Sequence, residues 1–223
     1  MAQNKPQAEK DPEVAIASAI GRVEAFIMRN SRSLLTALGV VIIVVGGFFG
    51  YKYLVAVPRM EKASAMMFAA EQQFAQDSFK LALNGDGNFA GFLQVIEKYG
   101  STGTGNVARH YAGICYLRLG QYQEALDYLT QYKGSTDDVP SALLAAQNYG
   151  LRGDVYVQMG DYAEAAKSYE KAVATSSDPL TAPYYLKKAG EVYEKLGDNA
   201  KALAAYEAVE VDYPTSMEAR DIQ

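Results

Sequence analysis

The chain has 223 residues, with 26 Asp and Glu against 21 Lys and Arg, one cysteine, one histidine and no tryptophan. One cysteine excludes an intrachain disulfide and a cysteine-based metal site, and a Ser/His/Asp or Cys/His catalytic set would have to use His110, whose neighbours supply no second member. Residues 58–223 carry 15 Lys and Arg against 22 Asp and Glu, which argues against nucleic acid, because phosphate contacts need clustered positive charge. The expectation is therefore a binding protein, with no catalytic residues, no metal and no cofactor.

Residues 1–32 form an N-terminal tail. Residues 1–10 are polar, and Asp11-Pro12 supplies a cap followed by proline at the first helical position. Ile16, Ile20, Val23 and Ile27 then recur at helical spacing, with Arg22 and Arg29 off that stripe. This short amphipathic helix suits a membrane interface or the face of a partner equally.

Residues 33–57 read as a transmembrane helix. Ser33 to Tyr51 is SLLTALGVVIIVVGGFFGY, uncharged throughout, and Leu54 to Val57 follows after Lys52. A hydrocarbon core about 30 Å thick needs ~20 apolar residues in a helix. Val40 to Val45 is apolar on every face, unlike an ordinary core helix. The long polar leader and the lack of a cleavage signature favour a retained anchor over a signal peptide. Arg22, Arg29 and Arg32 on one side balance Lys52, Arg59 and Lys62 on the other, so charge sets no orientation. Gly46 and Gly50 form a Gly-x-x-x-Gly pair, the small face through which membrane helices approach one another.

Residues 58–104 read as a linker helix and a degenerate repeat. Arg59 to Leu83 is expected to be one long helix, Asn84-Gly85-Asp86-Gly87 a turn, and Phe89 to Tyr99 a returning helix with Phe92, Val95 and Ile96 on one face.

Residues 105–223 repeat themselves. The windows Tyr111–Leu129, Leu151–Tyr169 and Lys188–Tyr206 share a set of spacings: Gly113/Tyr116/Gly120/Ala125, Gly153/Tyr156/Gly160/Ala165 and Gly190/Tyr193/Gly197/Ala202. Each has a physical reason. The first glycine lets two antiparallel helices touch, and the tyrosine packs between them. The second glycine ends the first helix in a left-handed conformation. The alanine lies at the crossing, and Leu129, Tyr169 or Tyr206 closes the layer below. The set matches the tetratricopeptide (TPR) pattern. Periods of 40 and 37 residues exceed the standard 34, and the extra residues are expected in the loops 133–140 and 176–182. The predicted fold is all-α: a transmembrane helix followed by a TPR-like α-solenoid of antiparallel helix pairs, closed by a short C-terminal cap.

In such an array the first helix of each pair lines a concave face. The expected protein-binding groove consists of His110, Ile114, Leu117, Gln147, Asp154, Val157, Tyr184, Lys187 and Glu191. Ile114, Asp154 and Glu191 stand where carboxylate-clamp TPR domains carry asparagine, and only Lys187 and Lys188 are available as clamp lysines. The mixed apolar and charged surface suits an extended or helical polypeptide.

A short tail, one anchor, a long exit helix and a TPR array together resemble the ancillary Sec-translocon subunit family, single-anchor bacterial TPR proteins related to the TPR domain of cell-division coordinators. The resemblance runs over roughly residues 15–223 and is carried by AQDSFKLALNGDGNFAGFL from Ala75, YGSTGTGNVARHYAGICYL from Tyr99 and YYLKKAGEVYEKLGD from Tyr184. It implies an inner-membrane protein with a cytoplasmic N-terminus and a periplasmic array. It also implies partners: the SecYEG channel and a membrane-anchored periplasmic chaperone of the prolyl-isomerase type. The alternative is an envelope scaffold that organises a division or secretion complex. The family has no catalytic residues to carry over.

Overall fold

The computed structural model describes residues 12–222, and among these every regular element is helical apart from one isolated bridge. The predicted cap Asp11 and the polar tail lie outside the described residues. The chain divides into two compact units, up to Val57 and from Pro58 onward.

The first unit contains α1 (Pro12–Arg29) and α2 (Ser31–Tyr51), followed by a π-helical turn at Lys52–Ala56. They are separated only by Asn30, whose backbone N–H and side-chain amide both donate to the Phe26 carbonyl at 3.0 Å. Twenty-one residues of α2 rise about 31 Å, the thickness of a hydrocarbon core. None of them is buried. Helical backbone continues from Ser31 to Ala75, and the apolar part is long enough to cross a membrane. Around Gly46 and Gly50 the described residues place nothing where a Cβ would be.

The second unit opens one residue into α3 (Val57–Ala75), followed by α4 (Phe79–Asn84) and α5 (Phe92–Tyr99). The single helix expected from Arg59 to Leu83 is broken. Asp77 takes a left-handed φ of 56°, and Ser78 N–H returns to the Gln73 carbonyl at 2.9 Å. In a continuous helix Phe74 and Phe79 would point about 140° apart. The break brings their rings to 5.6 Å, edge to face, and Phe74 also meets Tyr111 at 5.1 Å. The predicted turn at 84–87 forms, but α5 starts at Phe92 rather than Phe89. Asp86 accepts from the N–H groups of Asn88 and Phe89, and Gly85 bridges Ala90, so these residues belong to the turn. Phe92 and Val95 are fully buried against Ala108, Ala112 and Cys115 of the next helix. Burial there pushes the Cys115 thiol up to about 12.

Three helix pairs follow: α6 (Gly103–Arg118) with α7 (Tyr122–Gln131), α8 (Val139–Met159) with α9 (Tyr162–Thr175), and α10 (Ala182–Leu196) with α11 (Asn199–Asp212). The short α12 (Met217–Ile222) packs on α10 and α11. The glycine, alanine and large-residue positions of the repeat code are found where the spacing put them. Gly120, Gly160 and Gly197 end the first helices at φ of 74°, 79° and 74°, a left-handed conformation that strains any residue with a Cβ. Asp161 and Asp198 then cap α9 and α11 by accepting from Glu164 and Lys201 N–H. Ala125, Ala165 and Ala202 are buried at the crossings. The large residue of each second helix lies directly on the first glycine: a Cβ on Gly113, Gly153 or Gly190 would stand 2.5, 2.5 and 2.4 Å from Leu129, Tyr169 and Tyr206. Successive pairs join in the same way, since a Cβ on Gly150 of α8 would stand 2.1 Å from the Tyr185 ring of α10.

One consequence is measurable. Gly153→Ala is expected to lower stability by about 1–3 kcal/mol, because the buried Tyr169 ring has to move. Gly103→Ala, with nothing within 4 Å, is expected to leave the urea midpoint unchanged or slightly raised. Equal losses from both substitutions would show that the close approach at Gly153 is not what makes glycine necessary.

The extra residues of the long periods are only partly in the loops. Helix α8 has 21 residues against 16 in α6 and 15 in α10. Asp138 caps it through Ser141 N–H at 2.8 Å, and Pro140 lies in its first turn.

Candidate protein-binding groove

The first helices of the three pairs, α6, α8 and α10, line a cleft of about 590 Å³. Their register decides which side chains reach it. Residues spaced three or four apart share one helix face, and that face carries Ile114, Leu117 and Arg118 on α6, Leu151, Asp154, Val157 and Gln158 on α8, and Tyr184, Lys188, Glu191, Val192 and Lys195 on α10. Tyr122 and Tyr169 enter from the second helices.

At the centre is a polar cluster set among rings. Lys188 donates to Asp154 Oδ1 at 2.6 Å, and the Tyr169 hydroxyl donates to the same oxygen at 2.7 Å. The Lys188 ammonium also lies 4.7 Å from the centre of the Tyr184 ring and 5.6 Å from that of Tyr169. Burial works against the charged lysine, and Asp154 together with the Tyr184 hydroxyl more than offsets it, so its pKa lies above the ordinary value. The pair is half-buried on both sides. Its second carboxylate oxygen has no hydrogen bond among the described residues, leaving an acceptor for a backbone N–H of an incoming chain. Glu191, Lys195 and Arg118 supply further charges at the rim, so the cleft has three cations and two carboxylates although the unit as a whole is acidic. Apolar walls with a few fixed polar groups suit polypeptide recognition.

The structure brings Ile114, Leu117, Asp154, Val157, Tyr184 and Glu191 together, and it places the other three predicted residues elsewhere. His110 is 1% exposed and is not a groove residue. It faces α8, where Asn148 Nδ2 lies 3.2 Å from its Nδ1. Arg152 explains the orientation: its Nε donates to Asn148 Oδ1 at 3.0 Å, and its Nη2 donates to the Leu129 carbonyl at 2.8 Å, at the end of α7. With Oδ1 engaged, Asn148 presents its amide hydrogens to the imidazole, which must accept through an unprotonated Nδ1. Burial holds the His110 pKa down at about 4. Gln147 is exposed outside the cleft, and Lys187 pairs with Asp221 of α12 at 2.9 Å. Of the additional members, Lys188 follows from the same helical spacing, four residues after Tyr184 on the face that the predicted residues already defined, whereas Tyr169 reaches the cleft from α9 and is outside the reach of first-helix spacing.

Among the described residues no group of three or more His, Cys, Asp or Glu side chains is placed to hold a metal.

The helix pairs, their glycine and alanine contacts and their concave cleft define a repeat protein of the α-solenoid class. Residues 106–178 match a tetratricopeptide repeat model, and residues 151–217 match a second one; this is a tetratricopeptide repeat protein. The crystal structure of MamA protein is similar in fold, with a TM-score of 0.54 and 18% identity over 69% of this chain and 74% of that one. A second MamA crystal structure gives a TM-score of 0.51 and 18% identity over 65% and 74%. No curated protein matches the sequence.

Proposed function

We propose that this protein is a membrane-anchored adaptor whose TPR cleft holds a segment of a partner protein. TPR domains in general bind protein partners. The observation that carries the reading is the cleft itself: aliphatic and aromatic walls around the half-buried Asp154–Lys188 pair, in a chain that also contains an apolar helix of membrane-spanning length. Anchoring raises the local concentration of a partner in the same membrane toward the mM range, so modest contacts suffice. Binding rather than catalysis is the proposed activity.

The finer reading puts the adaptor at the Sec translocon, between the SecYEG channel and a membrane-anchored periplasmic chaperone of the prolyl-isomerase type or an emerging chain. Its support is the family resemblance of the segments from Ala75, Tyr99 and Tyr184. It carries with it an inner-membrane location, a cytoplasmic N-terminus and a periplasmic array. The scaffold reading is favoured by one feature: Gly46 and Gly50 lie open on α2, where a second helix can approach closely.

Purification of the native complex in mild detergent is expected to recover channel subunits with the protein, and their absence would remove the translocon reading. The adaptor reading is tested separately. Val157→Asp puts a charge on the apolar wall beside Asp154 and is expected to weaken capture of the copurifying partner by about tenfold, with the thermal midpoint little changed. Undiminished capture would place the binding surface outside the cleft.

A further inference from the structure

The anchor reading leaves α1 unexplained. Ile16, Ile20, Val23 and Ile27 are 59%, 62%, 58% and 51% exposed, and Phe26 beside them is 60% exposed. At 100° per residue the four aliphatic side chains fall within about 60° of the helix circumference, and Ala19 and Phe26 extend the arc to about 120°. Next to Phe26 come Arg22 and Arg29. Glu24 lies on the opposite flank, and Arg32 follows within one turn after Asn30.

We propose that α1 lies along the membrane surface, its aliphatic stripe in the acyl boundary and its arginines among anionic lipid headgroups. The proposal rests on the reading of α2 as a membrane span. If α2 crosses the bilayer, its 21 residues use the whole hydrocarbon thickness. Asn30 is the only residue between the helices, so the chain leaves α2 at headgroup level and α1 begins there. A bend at Asn30, whose φ of −112° and ψ of 15° depart from the α-helix, lets α1 lay its apolar arc along the lipid boundary. Long basic side chains bordering the arc favour lipid, because an arginine stem covers apolar surface while its guanidinium reaches phosphate. A partner helix has no need of cations along one border.

The absence of tryptophan makes the test direct. The full-length protein is reconstituted into phosphatidylcholine vesicles with about 30% phosphatidylglycerol, an anionic surface for the arginines. Ile20→Trp, Ala25→Trp and Ile42→Trp are made one at a time, and quenching by brominated lipid is compared with quenching by aqueous acrylamide. The expected result is that brominated lipid quenches Trp emission at positions 20 and 42, whereas acrylamide quenches it at position 25 on the polar side of α1. Combining Arg29→Glu with Arg32→Glu in the position-20 reporter is expected to weaken its lipid quenching about twofold. If position 42 is lipid-quenched and position 20 is open to acrylamide, the span stands and the surface helix is wrong. If position 20 is shielded from both quenchers, a protein covers the stripe and the lipid proposal is overturned. If position 42 is not lipid-quenched, the anchor reading fails and the proposal fails with it.

Discussion

Acidification from pH 7 to pH 4 is expected to cost the repeat unit about 3 kcal/mol through one imidazole. In the unfolded chain histidine titrates near 6.5, whereas burial between α6 and α8 holds His110 at about 4. Between those values the unfolded state binds the proton and the native state does not, so stability falls as pH drops through that window and levels off below it. The hydrogen bond from Asn148 points the same way, since protonation of Nδ1 would set two donors against each other. Asp86 and Asp138 accept backbone N–H bonds that hold their carboxyls below the usual value. Their contributions are present at neutral pH and lost as pH falls through their own lower pKa values, below the histidine window. His110→Gln keeps an acceptor for Asn148 and does not titrate. Urea titrations of both proteins at pH 7 and pH 4.5 check the assignment: the wild type should lose stability that the variant retains. Parallel losses would mean that His110 is not the group responsible.

Tyr169→Ala is expected to destabilise the unit by about 3–5 kcal/mol, a substantial part of the stability of a domain this size. The ring is 2% exposed, lies on Gly153, stacks with Tyr185 at 6.3 Å and forms one wall of the cleft. Tyr169→Phe removes only the hydrogen bond to Asp154 and should cost about 1 kcal/mol, since Lys188 still pairs with the carboxylate. Repeats couple mainly to their neighbours, so the alanine variant should lose hydrogen-exchange protection first in α8 to α11, while the buried face of α5 and α6 stays protected. Uniform loss along the whole unit, or equal losses in the two variants, would count against this account.

Much of this fold is legible in the sequence because tight contacts tolerate few residue types. Gly120, Gly160 and Gly197 are fixed by a left-handed turn, and Gly113, Gly153 and Gly190 by a ring or a leucine on the backbone, so their spacing recurs and can be read. The break at Asp77 is not legible. It depends on Phe74 and Phe79 both reaching Tyr111 and its surroundings, and the local sequence, without glycine or proline between them, looks like continuous helix. The groove shows the same division. Helical spacing finds Ile114, Leu117, Asp154, Val157, Tyr184 and Glu191. It misplaces His110, which becomes buried because α8 brings Asn148 across α6. The length of that neighbouring helix and the orientation that Arg152 gives Asn148 are properties of packing, beyond the reach of the periodicity of α6.

The sealed position of Cys115 also bears on how this protein responds to its chemical surroundings. It is the only thiol in the chain, it has no exposed surface, and its pKa is far above neutral, whereas disulfide exchange requires a reachable thiolate. The folded unit is therefore redox-silent: an oxidising compartment gives it no bridge to form, and a reducing one gives it none to lose. Oxidants and thiol reagents can act on this sulfur only after the seam between α5 and α6 has opened.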